Sequence, residues 1–299
     1  IPMKRLLFFI NPHAGHAEIR ASLMEVLEIF SVAGYETTVH MTAGPRDITA
    51  QIAARGTQYD LIVCTGGDGT LNEAVSGLMA LPYEKRPPLG YIPGGTVNDV
   101  AATLGLSKDP IHAARDIVAG RLYPLDIGSF GPDRYFTYVA AFGIFTDVPY
   151  ETPQEDKRIW GRLAYLMNGA GALGRLKDTH VRVWYDDRME EADVLVGLVT
   201  STTSVGGFKA TRDLGISLND GLYEMVLVRA TKTLAEFNLA ATRALRMDFD
   251  NDSFISAQTG ALRFEFDEPV AWTVDGEFGG SVTEVEIHNE HRAIDIVVP

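Results

Sequence analysis

One carboxylate, Asp68, lies among three glycines in the segment Gly66-Gly67-Asp68-Gly69-Thr70. Apolar residues precede this segment, as in a buried strand, and residues with helical spacing follow it. Glycines allow close approach to the backbone, and the N–H groups at a helix N-terminus attract an anion such as phosphate. A carboxylate suits such a place if a cation separates it from the phosphate. We therefore expect Asp68 to hold Mg²⁺, directly or through water, with the ion bridging nucleotide phosphates.

Two other segments with unusual turn sequences follow apolar runs: Asn11–Gly15 (NPHAG) and Pro93–Asp99 (PGGTVND). If the preceding strands are parallel, all three segments meet at one edge of a sheet, where ligands bind. The chain has no GK[ST] sequence and therefore no P-loop, and GDGTLN departs from the dinucleotide motif GxGxxG at its last position. A tight turn without a ligand is the alternative for the Gly-Gly-Asp-Gly stretch. Likewise, Asn72 and Asn98 could be first-turn residues of helices that bind nothing.

The elements that must position these segments alternate between strand and helix over about the first 120 residues. The predicted strands cover residues 5–10, 35–41, 59–65 and 88–92. The predicted helices cover residues 21–34, 45–56, 71–81, 97–105 and 110–120. Repeated strand–helix units predict a doubly wound α/β domain with a parallel sheet, over residues 3–122.

Strand-like segments dominate after residue 122 and are separated by turn residues. They cover residues 123–130, 134–142, 180–186, 192–201, 221–230, 262–267, 270–277, 282–288 and 293–299, with helical stretches near 158–175 and 233–247. This pattern predicts a second domain over residues 123–289, an antiparallel β-sandwich or open barrel, with a cleft between the two domains. The exposed edge strands of a sandwich would also permit a homodimer.

Charge and composition exclude several classes of function for this protein. The net charge of −14 argues against broad nucleic-acid binding and against simple electrostatic adhesion to an anionic membrane. The longest apolar stretch, residues 135–145, is too short to span a bilayer. The single cysteine, Cys64, excludes an intrachain disulfide and is expected to be a buried, inert thiol. We expect a cytoplasmic protein that meets a membrane only peripherally.

The motifs, taken together, resemble the catalytic domain of the diacylglycerol kinase family, whose bacterial members include soluble lipid kinases. The resemblance rests on GGDGT at 66–70 followed by PGGTVNDVA at 93–101. FFINPHAG at 8–15, SLNDGLYEMVLV at 217–228 and VDGE at 274–277 extend it in the same order over essentially the whole chain. GGDGT is shared with NAD kinases and phosphofructokinase-like enzymes, whereas PGGTxND is more specific to lipid kinases.

This resemblance implies a smaller phosphofructokinase- and NAD-kinase-like nucleotide domain, a larger β-rich domain, and a last strand, about 290–299, that returns to the first domain. It implies that Asp68 anchors Mg²⁺ at the phosphates of ATP. A second, structural Mg²⁺ would bind Asp220 and backbone oxygens near Ser217 and Leu222. The implied ATP-site residues are Asn11, Thr42, Gly66, Gly67, Asp68, Gly69, Thr70, Asn72, Gly95, Thr96 and Asn98.

The resemblance also implies that Asp275 or Glu277 is the general base that accepts the proton of the substrate hydroxyl. Asp-Gly is a common hairpin signal, so a turn without a catalytic role is the alternative. Two departures from the family pattern stand out. The segment before Asp220 lacks the usual prolines, and His13 replaces a small polar residue in the first segment, where it either touches a phosphate or faces solvent.

The function implied is an ATP-dependent lipid kinase that phosphorylates the hydroxyl of diacylglycerol or a related lipid alcohol at a membrane surface. Residues 153–177 combine apolar helical spacing with clustered Lys and Arg, so this stretch either contacts the membrane or packs on its own domain. The alternatives are a kinase of a soluble alcohol such as NAD, and a catalytically inactive regulator that binds nucleotide or lipid.

Overall fold

The computed structural model describes residues 3–12, 16–95, 98–143, 178–201, 204–205, 208–209 and 218–299. The predicted helix near 158–175 and the cationic stretch 153–177 lie outside these ranges. The chain divides into two compact units, one of Ile1–Ile127 with His291–Pro299 and the other of Gly128–Glu290. No helix in the described ranges has the length and apolar character needed to cross a membrane.

The first part of the chain contains alternating strands and helices, as predicted. Their bounds are β1 Lys4–Ile10, α1 His16–Val32, β2 Tyr35–Met41, α2 Asp47–Arg55, β3 Leu61–Gly66, α3 Asp68–Met79, β4 Leu89–Pro93, α4 Asp99–Leu104 and α5 Pro110–Ala119. The remaining elements are β5 Arg121–Phe130, β6 Arg134–Phe136, β7 Val139–Gly143, β8 Thr179–Tyr185, β9 Arg188–Thr200, β10 Ser204–Val205, β11 Phe208–Lys209, β12 Tyr223–Arg229, α6 Leu234–Leu245, β13 Phe254–Thr259, β14 Ala261–Val274 and β15 Glu277–Val298.

The sheet of the first unit is parallel, in the order β2-β1-β3-β4, and the end of β15 pairs with β4 in parallel as well. Because the strands are parallel, β1, β2, β3 and β4 end at one edge. The segments that follow them therefore share that edge, as the sequence predicted.

Apolar residues of β1 alternate between two buried faces, which is why the strand reads as a continuous apolar run. Phe8 packs edge-to-face on Phe30 of α1, with ring centroids 5.8 Å apart, and this face also contacts α5. The helices α2 and α3 pack closely against each other, since a Cβ on Gly77 would lie 2.7 Å from Cβ of Ile52. Cys64 of β3 is fully buried, as predicted, and burial raises the pKa of its thiol.

The starts of two helices differ from the sequence prediction by three residues or more. Helix α1 begins at His16 and α3 at Asp68, several residues earlier than the apolar spacing indicated. In α3, Gly67 has the extended backbone of an N-cap, with φ −86° and ψ −171°. Asp68 is therefore the first helical residue, where a carboxylate interacts favourably with the helix dipole.

The second unit consists mainly of antiparallel strands. Strands β13, β12, β9, β7 and β14 pair in that order, and β8 pairs with both β9 and β14. A cluster of aromatic rings forms the centre of its core: Phe130, Phe142, Phe264, Phe266 and Trp272. The sandwich arrangement itself stays a prediction.

Several predicted strands have different limits in the structure. Segments 262–267 and 270–274 join into β14 across a shift in register, and 282–288 and 293–298 join into β15. The end of the predicted strand 270–277 is wrong, because 275–276 form a turn and Glu277 begins β15. Strand β13, with polar residues after Phe254 and Ile255, was not predicted. The predicted strand 134–142 is divided into β6 and β7, because the backbone between them bonds to a side chain from the other end of the chain.

Candidate functional site

Asp68 joins two of the segments at the edge of the parallel sheet. Its Oδ2 accepts a hydrogen bond of 3.0 Å from the backbone N–H of Asn98, in the segment after β4. A second link is formed by the N–H of Gly94, which donates to the carbonyl of Gly66 at 2.7 Å. The carboxylate predicted to bind Mg²⁺ therefore also holds the two glycine-rich segments together.

Asn98 has a left-handed backbone, with φ 55° and ψ 57°, and is 1% exposed. Asparagine tolerates this region because its side chain bonds to nearby backbone. Here Oδ1 accepts from the N–H of Gly95 at 3.1 Å, and Nδ2 donates to the carbonyl of Gly95 at 2.6 Å. Asn98 was predicted to line the ATP site; its described contacts are with Gly95, Tyr91 and Asp68.

The glycines at this edge are required sterically. A Cβ on Gly95 would lie 2.6 Å from Cα of Gly67, closer than real Cβ atoms approach other atoms. A Cβ on Gly66 would lie 2.3 Å from Oγ1 of Thr70. The backbones of the two segments can therefore approach each other only because side chains are missing.

We expect Gly95→Ala to force the two segments apart and to weaken binding of a non-hydrolysable ATP analogue by at least about tenfold, or about 1.4 kcal/mol. Calorimetric titration measures this effect. Gly44→Ala is the matched control, since a Cβ on Gly44 meets nothing within 4 Å. Equal affinity of the two variants would contradict the steric argument.

Other residues that were predicted to contact the nucleotide lie at the same edge of the sheet, in so far as the structure describes them. Nδ2 of Asn11 donates to Oγ1 of Thr70 at 3.4 Å, and the N–H of Thr42 donates to the carbonyl of Ile10 at 3.0 Å. Asn72, within α3, accepts a bond of 3.5 Å from the hydroxyl of Ser76. The predicted residues Thr96 and His13 lie outside the described residues.

The residues at this edge fit a nucleotide and its Mg²⁺ ion. They offer a half-buried carboxylate, Asp68, at the N-terminus of a 12-residue helix, and a backbone surface that glycines keep open. Mg²⁺ commonly binds one or two protein carboxylates and takes its other ligands from phosphate and water. A single carboxylate at this position is therefore sufficient.

The proposed second metal site is only partly described, because Ser217 lies outside the described residues. Asp220 is exposed, and its Oδ1 accepts a 3.0 Å bond from the N–H of Leu222. The carbonyl of Leu222 accepts a 3.3 Å bond from Nδ2 of Asn289. Burial raises the pKa of Glu224 to about 7, and the charge of Asp220 adds to the increase. Within the described part of the chain, no group of three or more His, Cys, Asp or Glu side chains is placed to hold a metal.

Asp275 forms the turn between β14 and β15. Both Asp275 and Gly276 have positive φ, 48° and 82°, as a two-residue type I′ hairpin requires. Asp275 is 5% exposed. Its Oδ2 accepts from the N–H and the hydroxyl of Thr137 at 2.7 and 2.8 Å, and its Oδ1 accepts from the N–H groups of Tyr138 and Val139 at 3.1 Å each.

Glu277, the other predicted base, lies two residues further on and is exposed. The next residue, Phe278, is also exposed, and its carbonyl accepts a 2.7 Å bond from Arg134. The two acidic residues thus have opposite environments. All four hydrogen-bonding directions of the Asp275 carboxylate are in use, whereas the carboxylate of Glu277 is open to solvent.

Sequence reasoning missed Tyr91, whose hydroxyl is 3.0 Å from the carbonyl of Gly66 and 3.1 Å from Oδ1 of Asn98. It also missed the three residues that bond Asp275: Thr137, Tyr138 and Val139. Tyr91 lies within β4, where the pattern of a buried strand needs only an apolar residue. Its hydroxyl, a polar group in a buried strand, was the signal that could have identified it. Thr137 and Tyr138 lie inside the long apolar stretch, and their partner is distant in sequence.

Comparisons with known proteins agree with the motifs. The family described as diacylglycerol kinase catalytic domain matches residues 5–130. A diacylglycerol kinase of Bacillus subtilis is 38% identical over 99% of this chain and 97% of its own length. A diacylglycerol kinase of Staphylococcus aureus strain MRSA252 is 34% identical over 99% of this chain and 93% of its own length.

A crystal structure of a diacylglycerol kinase from Bacillus anthracis superposes with a TM-score of 0.81 at 22% identity, covering 100% of this chain and 98% of that one. This likeness shows a shared fold. The match to these curated relatives extends over nearly the whole chain. The chain therefore belongs to the diacylglycerol kinase family, a family of phosphotransferases.

Proposed function

We propose that the protein is an ATP-dependent lipid kinase that phosphorylates the hydroxyl of diacylglycerol or a related lipid alcohol. In this proposal the first unit is the ATP-binding domain and the second is the lipid-binding domain, which meets its substrate at a membrane surface. The main supporting observation is the bond between Asp68 and Asn98, because it places a carboxylate between two glycine-rich segments in a chain whose relatives are named diacylglycerol kinases.

The nucleotide would bind at the edge of the parallel sheet. The first N–H groups of α3 and the glycine backbone would donate to phosphate oxygens, and Asp68 would hold Mg²⁺, directly or through water. When bound, the ion supplies positive charge that offsets the charge on the phosphates. The side chains of Asn11 and Thr70, which already contact each other, would border the same position.

The acceptor hydroxyl requires a group that takes its proton as the oxygen attacks the γ-phosphorus and the bond to ADP breaks. We assign this role to Glu277, because its carboxylate is exposed and able to accept a proton. Asp275 would instead be a positioning residue. Its four bonds fix Thr137, Tyr138 and Val139, and thereby fix the turn from which Glu277 projects.

Asp220 remains the proposed ligand of a structural Mg²⁺, together with backbone oxygens near Leu222 and Ser217. Its exposed carboxylate and the turn that it forms with the N–H of Leu222 are compatible with a cation held by one side chain and several waters.

The proposed reaction is tested by transfer of label from γ-³²P-ATP across a panel of acceptors. We expect labelled phosphatidate from mixed micelles that contain diacylglycerol, and no label on NAD. Omission of Mg²⁺, with EDTA present, is the control for metal dependence. Label on NAD alone would favour a kinase of a soluble alcohol. Binding of ATP and lipid without any labelled product would favour an inactive regulator.

A further inference from the structure

Tyr91, in the middle of β4, is a buried tyrosine whose hydroxyl reaches the segments on both sides of the candidate site. The residue is 1% exposed and lies opposite Cys64 of β3. Its hydroxyl is 3.0 Å from the carbonyl of Gly66 and 3.1 Å from Oδ1 of Asn98, so it donates to this pair of acceptors. One side chain thus contacts the end of β3 and the segment after β4.

A short chain of bonds connects this hydroxyl to Asp68. Tyr91 donates to the side chain of Asn98, and the backbone N–H of Asn98 donates to Oδ2 of Asp68 at 3.0 Å. The orientation of the Asn98 amide is determined by its neighbours, because Oδ1 also accepts from the N–H of Gly95. Since Nδ2 donates to the carbonyl of Gly95 as well, the amide cannot turn over without loss of three bonds.

We propose that Tyr91 is a positioning residue, which sets the place of the Asp68 carboxylate by holding Asn98 in its left-handed conformation. The proposal rests on the proposed role of Asp68 at the nucleotide site. It concerns Tyr91 alone, a residue that takes no part in any step of the proposed reaction.

The chemistry of position 91 supports this role. An apolar residue would suit this position, because every residue of β4 is buried, and it would avoid the need to bond a buried hydroxyl. Burial, followed by the charge of the nearby Asp68, raises the pKa of Tyr91 well above its ordinary value. The hydroxyl therefore stays protonated and remains a donor throughout the neutral range.

The hydroxyl of Tyr91 matters for the conformation of Asn98, because the backbone of Asn98 is left-handed. A residue other than glycine at positive φ is held there at an energetic cost by its surroundings. Of the two donors to Oδ1 of Asn98, only the N–H of Gly95 would remain without the Tyr91 hydroxyl. The donor Nδ2 also keeps its bond to the carbonyl of Gly95, but both remaining bonds lie within the segment itself. The segment therefore loses the tie from the Asn98 side chain to β4, and the N–H that orients Asp68 moves with it.

Tyr91→Phe tests the proposal, because it removes only the hydroxyl. We expect the Kd of a non-hydrolysable ATP analogue, measured by calorimetric titration with Mg²⁺ present, to rise about tenfold. The Kd of the same analogue in EDTA should change less than about twofold, and KM for diacylglycerol should not change. Tyr59→Phe is the matched control, since Tyr59 is buried in the same unit but precedes β3, at the opposite end of the strand from Gly66.

A double-mutant cycle with Asp68→Asn decides whether Tyr91 acts through Asp68. If it does, Tyr91→Phe raises the Kd of the ATP analogue only slightly when Asp68 has already been replaced by asparagine. Additive effects, or a lower melting temperature with unchanged Kd, would overturn the proposal. If Asp68→Asn alone leaves Mg²⁺-dependent binding intact, the role of Asp68 fails, and the inference about Tyr91 fails with it. Should Tyr91→Phe not fold, Asn98→Gly replaces it, since glycine keeps the left-handed backbone and removes the acceptor.

Discussion

Replacement of Asp68 by asparagine is expected to lower kcat/KM by about a thousandfold, equivalent to about 4 kcal/mol of transition-state stabilisation. The substitution keeps the size of the side chain and one oxygen that can accept the bond from Asn98. It removes the negative charge that would hold Mg²⁺ at the phosphates. The loss should therefore be accompanied by a higher Mg²⁺ concentration at half-maximal rate, measured with diacylglycerol at saturation.

Asp109→Asn provides the matched control for this experiment. Asp109 is also an acid at a helix N-terminus of the first unit, where Oδ1 accepts a 2.7 Å bond from the N–H of His112. Asparagine caps helices about as well as aspartate, so rate and stability should stay near those of the unchanged protein. If Asp68→Asn behaves like Asp109→Asn, the magnesium role of Asp68 is removed.

The parallel sheet and the convergence at its edge could be predicted because they depend on local patterns. Apolar runs such as residues 5–10 and 59–65 carry the period of buried strands, and the glycine-rich segments follow them directly. The start of α3 was misplaced because the first helical turn contains Asp68 and glycine, which do not contribute to apolar spacing. The same residues that make the turn useful for binding thus conceal the beginning of the helix.

The contacts that orient the acidic side chains could not be predicted, because they join distant parts of the chain. The bond from Thr137 to Asp275 spans 138 positions, and the bond from Asn98 to Asp68 spans 30. Neither has a local sequence signal. The backbone confirms that Asp275 lies in a hairpin turn, whereas its catalytic role stays a prediction. The sequence could not show that its carboxylate accepts four hydrogen bonds.

Removal of the negative charge is expected to reduce stability at Asp275 and to reduce activity at Glu277. Asp275→Asn should lower the free energy of unfolding by about 3 kcal/mol, because an amide nitrogen would face N–H or hydroxyl donors and lose their bonds. Glu277→Gln should leave stability unchanged, since the side chain is exposed, and should lower kcat by about a hundredfold or more. Thermal or urea unfolding and steady-state kinetics on the same preparations separate the two effects.

Asp186→Asn is the control for the turn, since Asp186 also has positive φ, 49°, between the paired strands β8 and β9. Its Oδ1 accepts a bond of 2.9 Å from Thr259, which an asparagine oxygen can keep, so a small effect is expected. Full activity of Glu277→Gln would exclude it as the base. Loss of kcat in Asp275→Asn at unchanged stability would then transfer the proton-accepting role to Asp275. That result would mean that the four bonds break during turnover, because a carboxylate with every acceptor direction occupied has no place for the proton.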